Sequence, residues 1–450
     1  MSKFTALLFT VVCCLRGDAP PSSINPQIAE IVSRISTDNI AEIQKKLESF
    51  GTRNIYSATD DPAHGVGAAR EWIAAQLRGY NSRLQVSFDK HRLAKQHRAF
   101  RNVEIWNIIA VLPGTSEPER HVIVSGHYDS IHLVYRTAAN GERELDPEAT
   151  LAAPAPGVTD DGSGTAAVME LARVMSRYQF RKSLVFIAFA AEEYGLFGSG
   201  LYAADAAARH EIIDGVFNND IIGSDKTGNG ETSNRYVNVY SEEPNDSSSR
   251  QLARYMKQIA ERYQPGFQVN LIFRHDRFGR GGDHSPFNTA GYPAIRITTP
   301  MENFSNQHTA TDTFANTAPG YTALVTKANA AAIAELALAP KAPELRTPNA
   351  AEGRAFASPL SRGTGYDAVM RWQNDKPEAD LLGYAVVMRS TTTPFWEKQT
   401  FVGKVTSYTL PNVNIDEVVL GVKAIDRNGD ESPVSAYVTP PYQQPKIETY

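Results

Sequence analysis

Two adjacent carboxylates, Glu192 and Glu193, close the apolar run SLVFIAFAAEE and are followed by YGLFGSG, a glycine-punctuated turn. Other acids and histidines close comparable runs. HVIVSGHYDS delivers His127 and Asp129, APGVTDDGSG carries Asp160 and Asp161, VFNNDIIG brings Asp220, and MENFSNQHTATDT supplies His308 and Asp312. Two imidazoles and several carboxylates without a thiolate form a donor set suited to zinc. A carboxylate shared between two divalent ions relieves the repulsion among the others, and two such ions activate a water and polarise a carbonyl. Adjacent residues at a strand end point to opposite sides. One glutamate of the pair can therefore hold metal while its neighbour works as a general base, moving a proton from water to a leaving amine.

Such side chains converge only if the runs are parallel strands whose carboxyl ends open on one crevice. VEIWNIIAVL, HVIVSGHYDS, SLVFIAFA, GVFNNDIIG and YPAIRIT are short and β-branched, and several are apolar at nearly every position, as strands buried on both faces are. Helical spacing lies before and between them. Ile28, Ile31, Val32 and Ile35 share one face, as do Val168, Leu171, Ala172 and Met175, and an Ala-rich helix runs through Leu324, Ala328, Ala331 and Leu336. The alternation predicts a three-layer α/β/α sandwich around a mostly parallel sheet.

The six stretches SGHYDS, PGVTDDGSG, AFAAEEYGLFGS, NNDIIG, GGDHSPF and QHTATDT, in this order, resemble the secreted two-zinc aminopeptidases, whose relatives include glutaminyl cyclases, glutamate carboxypeptidases and transferrin-receptor ectodomains. The resemblance covers roughly residues 24–338. It implies that Asp160 bridges two zinc ions, that His127 and Asp220 complete one and Glu193 and His308 the other, that Glu192 is the general base, and that Asp129 orients His127 through its second ring nitrogen. It implies a zinc exopeptidase that removes N-terminal residues from peptide or protein substrates. A carboxypeptidase or cyclase of the same fold, or a receptor-like protein with a dead site, are the alternatives. The chain departs from some relatives at Gln307, where they carry an oxyanion-stabilising tyrosine, and Arg280 lies one residue out of register with an arginine that relatives keep. Asp161 and Asp312 read as helix caps or supports of the ligands. His284 reads as a turn residue or a substrate contact, and His64, His91, His97 and His132 as surface.

The composition bounds the partners. A formal charge of -5 without a Lys/Arg block gives no footprint for nucleic acid or an anionic membrane. No run after the N-terminus is long and apolar enough to span a bilayer. Residues 1–19 follow signal-peptide grammar, with Lys3 before an apolar run, so a secreted or periplasmic location is expected. Both cysteines, Cys13 and Cys14, lie in that segment. The peptidase-like domain then spans 20–338, a Pro/Ala-rich linker 339–353, and a β-sandwich 354–450. The last of these resembles a fibronectin type III module through Trp372, Tyr384 and the Ala424–Gly429 strand and turn, and it is expected to bind a surface or partner. The linker prolines suggest few packed contacts between the two domains.

Overall fold

The computed structural model describes residues 24–345, 359–374 and 376–438; the signal-like segment and most of the linker lie outside them. Helices α1 (Pro26–Ser33), α2 (Thr37–Glu48) and α3 (Gly65–Tyr80) precede the first strands, β1 (Gln85–Leu93), β2 (Val103–Leu112) and β3 (Glu117–His127). A small hairpin, β4 (Tyr135–Thr137) and β5 (Arg143–Leu145), and α4 (Pro147–Ala152) lead to α5 (Gly162–Met175), β6 (Lys182–Phe189), α6 (Phe197–Ala208) and β7 (Ile212–Asn219). Then come β8 (Tyr236–Ser241), α7 (Ser248–Tyr263), β9 (Gln268–Ile272), α8 (His284–Thr289), β10 (Ala294–Thr298) and α9 (Pro319–Leu338).

One sheet has the order β1-β2-β6-β3-β7-β10-β8-β9. Its middle, β6-β3-β7-β10, is parallel, and antiparallel pairs join it to β2 on one side and β8 on the other. The sheet is therefore mixed, with the parallel part where the sequence placed it. Every residue of β6 is buried, and alternation sorts its side chains. Leu184, Phe186 and Ala188 face the layer of α5 and α9, while Val185, Ile187 and Phe189 pack with Tyr202 and Ala206 of α6 and Phe287 of α8. These are the three layers. The outer strand β1 is polar and half exposed and lacks the apolar run that marks the inner strands.

From Pro359 onward the described residues form only strands, in two small sheets around Met370, Trp372, Tyr384, Val422 and Ala424. This all-β unit is not loosely tethered. Glu344 and Leu345, at the start of the linker, pair with Gln373 and Trp372. Arg181 reaches Asp380 at 2.8 Å, Arg389 reaches Asp246 at 2.7 Å, and Arg262 of α7 reaches Glu431 at 3.0 Å. The Glu431 amide donates to Glu335 of α9 at 3.1 Å, and the Tyr255 hydroxyl donates to the Glu431 carbonyl at 3.0 Å. The expectation of few packed contacts thus fails, because charged turns of the sandwich insert between α7 and α9 and the linker prolines say nothing about those turns. A cavity of about 350 Å³ lined by Arg120, Lys182, Asp214 and Pro433 opens at this junction, at the start of β6 and β7 and so at the opposite end of these strands from the acids described next.

Candidate metal centre

His127 is the last residue of β3, and its main chain and side chain are both held. Its amide donates to Asp161 at 3.1 Å, and its carbonyl accepts the Thr165 hydroxyl of α5 at 2.8 Å. Its Nδ1 lies 3.1 Å from the Asp129 carbonyl. With a proton on Nδ1, the lone pair of Nε2 is left facing Asp160 Oδ1 at 3.3 Å and Asp220 Oδ1 at 3.9 Å. On the other side of Asp160, its Oδ2 lies 3.1 Å from Nε2 of His308, which is 3.0 Å from Glu193 Oε2.

Two clusters result, His127/Asp160/Asp220 and Asp160/Glu193/His308, each compact enough to hold a metal ion, and Asp160 belongs to both. All five residues expected to hold metal are brought together. The donor set passes a physical test of fit: Nε2 of both histidines and Oε1 of Glu193 are buried without a hydrogen-bond partner, a costly condition unless a cation answers them. Burial lowers the pKa of both imidazoles, yet Asp129 and Asp160 hold His127 well above its ordinary value, and Glu193 and Asp160 raise His308 to about 11. Acids that would trap protons on imidazoles are equally able to attract divalent cations.

Glu192 belongs to neither cluster. It shares a recess of about 180 Å³ with Glu193 and His308. Burial raises its pKa well above the usual carboxylate range against the pull of His127, with Asp220 and Glu193 adding to the rise. A carboxylate that binds protons more readily beside a metal cluster has the character of a general base.

Asp129 reaches the second ring nitrogen of His127 through two groups. Its carboxylate is 3.6 Å from His127 Nδ1, and the backbone carbonyl makes the closer contact. The carboxylate also accepts the amides of Glu192 at 3.1 Å and Glu193 at 3.3 Å, fixing the two glutamates relative to each other. Asp161 caps α5 through the Gly164 amide at 2.9 Å and also takes the Ile221 amide at 3.1 Å. Asp312 takes the amides of Thr159 and Asp160 at 2.9 and 3.0 Å. Both acids are therefore supports rather than members of a cluster. Gln307 donates to Asp160 Oδ2 at 3.0 Å and faces Arg280 at 3.3 Å, which gives both departures from the family pattern a place at the site. His284 is buried and held against the His275 carbonyl at 3.0 Å, a structural position.

Sequence reasoning missed three participants. Arg53 is fully buried and donates to the carbonyls of Tyr128, Pro156 and Gly157, tying β3 to the Asp160 loop. Arg296 of β10 lies 3.0 Å from Asp220 and 2.8 Å from Asp276. Asp283 is fully buried, and burial raises its pKa to about 7. Only Asp283 carried a signal, its place beside His284 in GGDHSPF; Arg53 and Arg296 sit in stretches that read as helical and as a strand.

Comparisons with known proteins bear on family and fold. Residues 107–333 match the model of peptidase family M28. A probable zinc metalloprotease of Leptosphaeria maculans is 35% identical over 438 residues, covering 90% of this chain and 96% of its own. One from Pyricularia oryzae is 34% identical, covering 94% of this chain and 88% of its own. Among solved structures, the LapA aminopeptidase of Legionella pneumophila aligns with a TM-score of 0.52 at 19% identity over 75% of this chain and 80% of that one. The glutaminyl cyclase of Fimbriiglobus ruber aligns with a TM-score of 0.52 at 20% identity over 66% of this chain and 95% of that one. At these identities the structural likenesses concern the fold.

Proposed function

The chain belongs to peptidase family M28, and from that premise we propose that it is a zinc-dependent aminopeptidase with two metal positions and Glu192 as general base. The observation that carries this reading is the sharing of Asp160 between two acid–imidazole clusters with a carboxylate left over beside them. His127, Asp160 and Asp220 would hold one zinc ion, and Asp160, Glu193 and His308 the other. Bound there, the metals would supply Lewis-acid activation of a water and of the scissile carbonyl. Glu192 Oε takes the proton of the attacking water and returns it to the nitrogen of the leaving amine. Asp129 keeps Glu192 in register with Glu193, so the side chain that handles the proton stays at a fixed spacing from one that holds metal. Gln307 and Arg280 border the same site and offer donors where some relatives use a tyrosine. The names of the curated relatives support a zinc peptidase, and the fold, shared with the LapA aminopeptidase and with a glutaminyl cyclase alike, leaves the choice of peptide end to the assay.

The deciding experiment is one peptide set blocked in turn at each end and offered to the zinc-loaded protein. Release of N-terminal residues from C-terminally blocked peptides alone is expected. Release of C-terminal residues alone would turn the reading to a carboxypeptidase, cyclisation of N-terminal glutamine to a cyclase, and zinc binding without any turnover to a receptor-like protein.

We extend the proposal to the chain's location. Removal of residues 1–19 would place the mature protein outside the cytoplasm, and N-terminal sequencing of protein recovered from medium or periplasm tests it by a start near Ala19. The C-terminal unit is proposed as a fibronectin type III-like module.

A further inference from the structure

The recess beside the two clusters is walled by Arg98, Arg280 and His308 and by three glycines, Gly195, Gly279 and Gly281. Arg98 stands at the tip of a tight turn closed by paired bonds between Gln96 and Ala99, with its own φ at 70°. A Cβ added at Gly195 would lie 3.5 Å from Arg98 Cδ, so the aliphatic stem of Arg98 runs over the turn that follows Glu192 and Glu193. Among the described residues its guanidinium has no hydrogen-bond or ion-pair partner. Arg280 is only loosely held, 3.4 Å from Glu302 and 3.3 Å from Gln307, and Arg277 takes the same Glu302 oxygen at 3.1 Å. One carboxylate is thus divided between two guanidiniums. The two acids that face the recess have other duties, Glu193 in a metal cluster and Glu192 as the base.

We propose that this recess recognises a carboxylate of the substrate, with Arg98 as the principal contact and Arg280 as the second. The inference rests on the exopeptidase reading and adds a substrate class to it. A guanidinium fork matches a carboxylate in two parallel charge-assisted hydrogen bonds, and glycine walls leave the fork unscreened by other side chains. The carboxylate can come from two sources: an acidic side chain next to the scissile bond, or the free C-terminus of a very short peptide. In both cases the binding energy is delivered beside Glu192 and His308, where it selects among substrates.

The test compares kcat/KM of the zinc-loaded protein for glutamyl and glutaminyl amides, for alanyl-glycine and its C-terminal amide, and for a leucyl amide as reference. A ratio of about tenfold or more in favour of the charged member is expected in one pair, and the pair in which it falls names the source. Arg98→Ala should bring that ratio to about one, and Arg98→Glu should invert it. Hydrolysis of the leucyl amide with both ratios near one overturns the inference and leaves the peptidase reading standing. If no substrate is turned over, the peptidase reading fails, and calorimetry decides the inference by itself. Tighter binding of L-glutamate than of L-glutamine, or of alanyl-glycine than of its C-terminal amide, lost in Arg98→Ala, upholds it; equal binding within both pairs overturns it.

Discussion

The molecule buries two groups of acids, and they are built on opposite principles. At the junction with the C-terminal module, Glu431 is met by Arg262, by Lys423 and by the Gln258 amide, Asp430 by Asn25, and Glu335 by Tyr263 and the Glu431 backbone. Each of these carboxylates has donors from the protein itself. At the carboxyl ends of β3, β6 and β7 the acids outnumber their partners, and imidazole nitrogens are left without hydrogen bonds. Burial of acids is common to both places, so it does not distinguish a site from a joint. What distinguishes them is whether the protein supplies the donors or leaves a gap that a cation fits.

The largest expected effect breaks this contrast by removing the ion. Exhaustive chelation should abolish hydrolysis of aminoacyl amides, and zinc should restore it, while the junction, which has its own cations, stays docked by solution scattering. Next, Glu192→Gln should lower kcat by about a hundredfold or more with zinc content unchanged. Loss of zinc in that variant, with zinc kept in Glu193→Ala, would exchange the two roles. At the junction the reverse pattern is expected. Glu431→Ala leaves Lys423 buried without its partner and should cost about 3–5 kcal/mol of unfolding free energy by denaturant titration, with metal content intact.

The last effect is in the pH dependence of the junction. Burial raises Glu335 to about 8 against a usual 4.5, with Asp430 adding to the rise and Arg262 opposing it. The folded state therefore holds a proton that the unfolded chain has released, so this stabilising contribution is full below about pH 4.5 and is lost as pH rises to about 8. Asp430, raised to about 6 by burial, loses its contribution lower in the same range. Glu431 has the opposite sign: Lys423 and Arg262 outweigh burial and hold it below its ordinary value, so its contribution is lost only on acidification. Glu335→Gln should flatten the decline of melting temperature between pH 4.5 and 8; an unchanged slope would mean that Glu335 is ionised in the folded protein.

The two regions also differed in how much the sequence revealed. The runs before His127 and Glu192 are largely apolar and, like the more polar one leading to Asp220, end on acids or histidines, so both the strands and the expected ligand-bearing ends could be read, and the five expected ligands converge. The role of Asp129 could not, because which of its oxygens reaches His127 depends on how the chain turns after β3. Arg53 and Arg296 were silent for a similar reason: a buried arginine has the same letter as a solvated one, and only its carbonyl or carboxylate partners reveal it. The junction was hidden most completely. RNGDES reads as a solvent-facing turn, and only the packed structure brings its Asp430 and Glu431 against Asn25 and Arg262.

The supports around the proposed metal ligands carry a consequence for motion. Asp161 receives the amides of His127, Gly164 and Ile221, Asp312 those of Thr159 and Asp160, and Asp129 those of Glu192 and Glu193. Loop amides near an active centre ordinarily exchange with solvent deuterium through small local openings. Here such an opening would strip an amide from a buried carboxylate, so these loop positions should exchange as slowly as the strands beside them and in step with one another. The centre would then keep its shape between turnovers, and the breathing needed to admit substrate and release product would fall to Arg98, Arg280 and the turns that carry them.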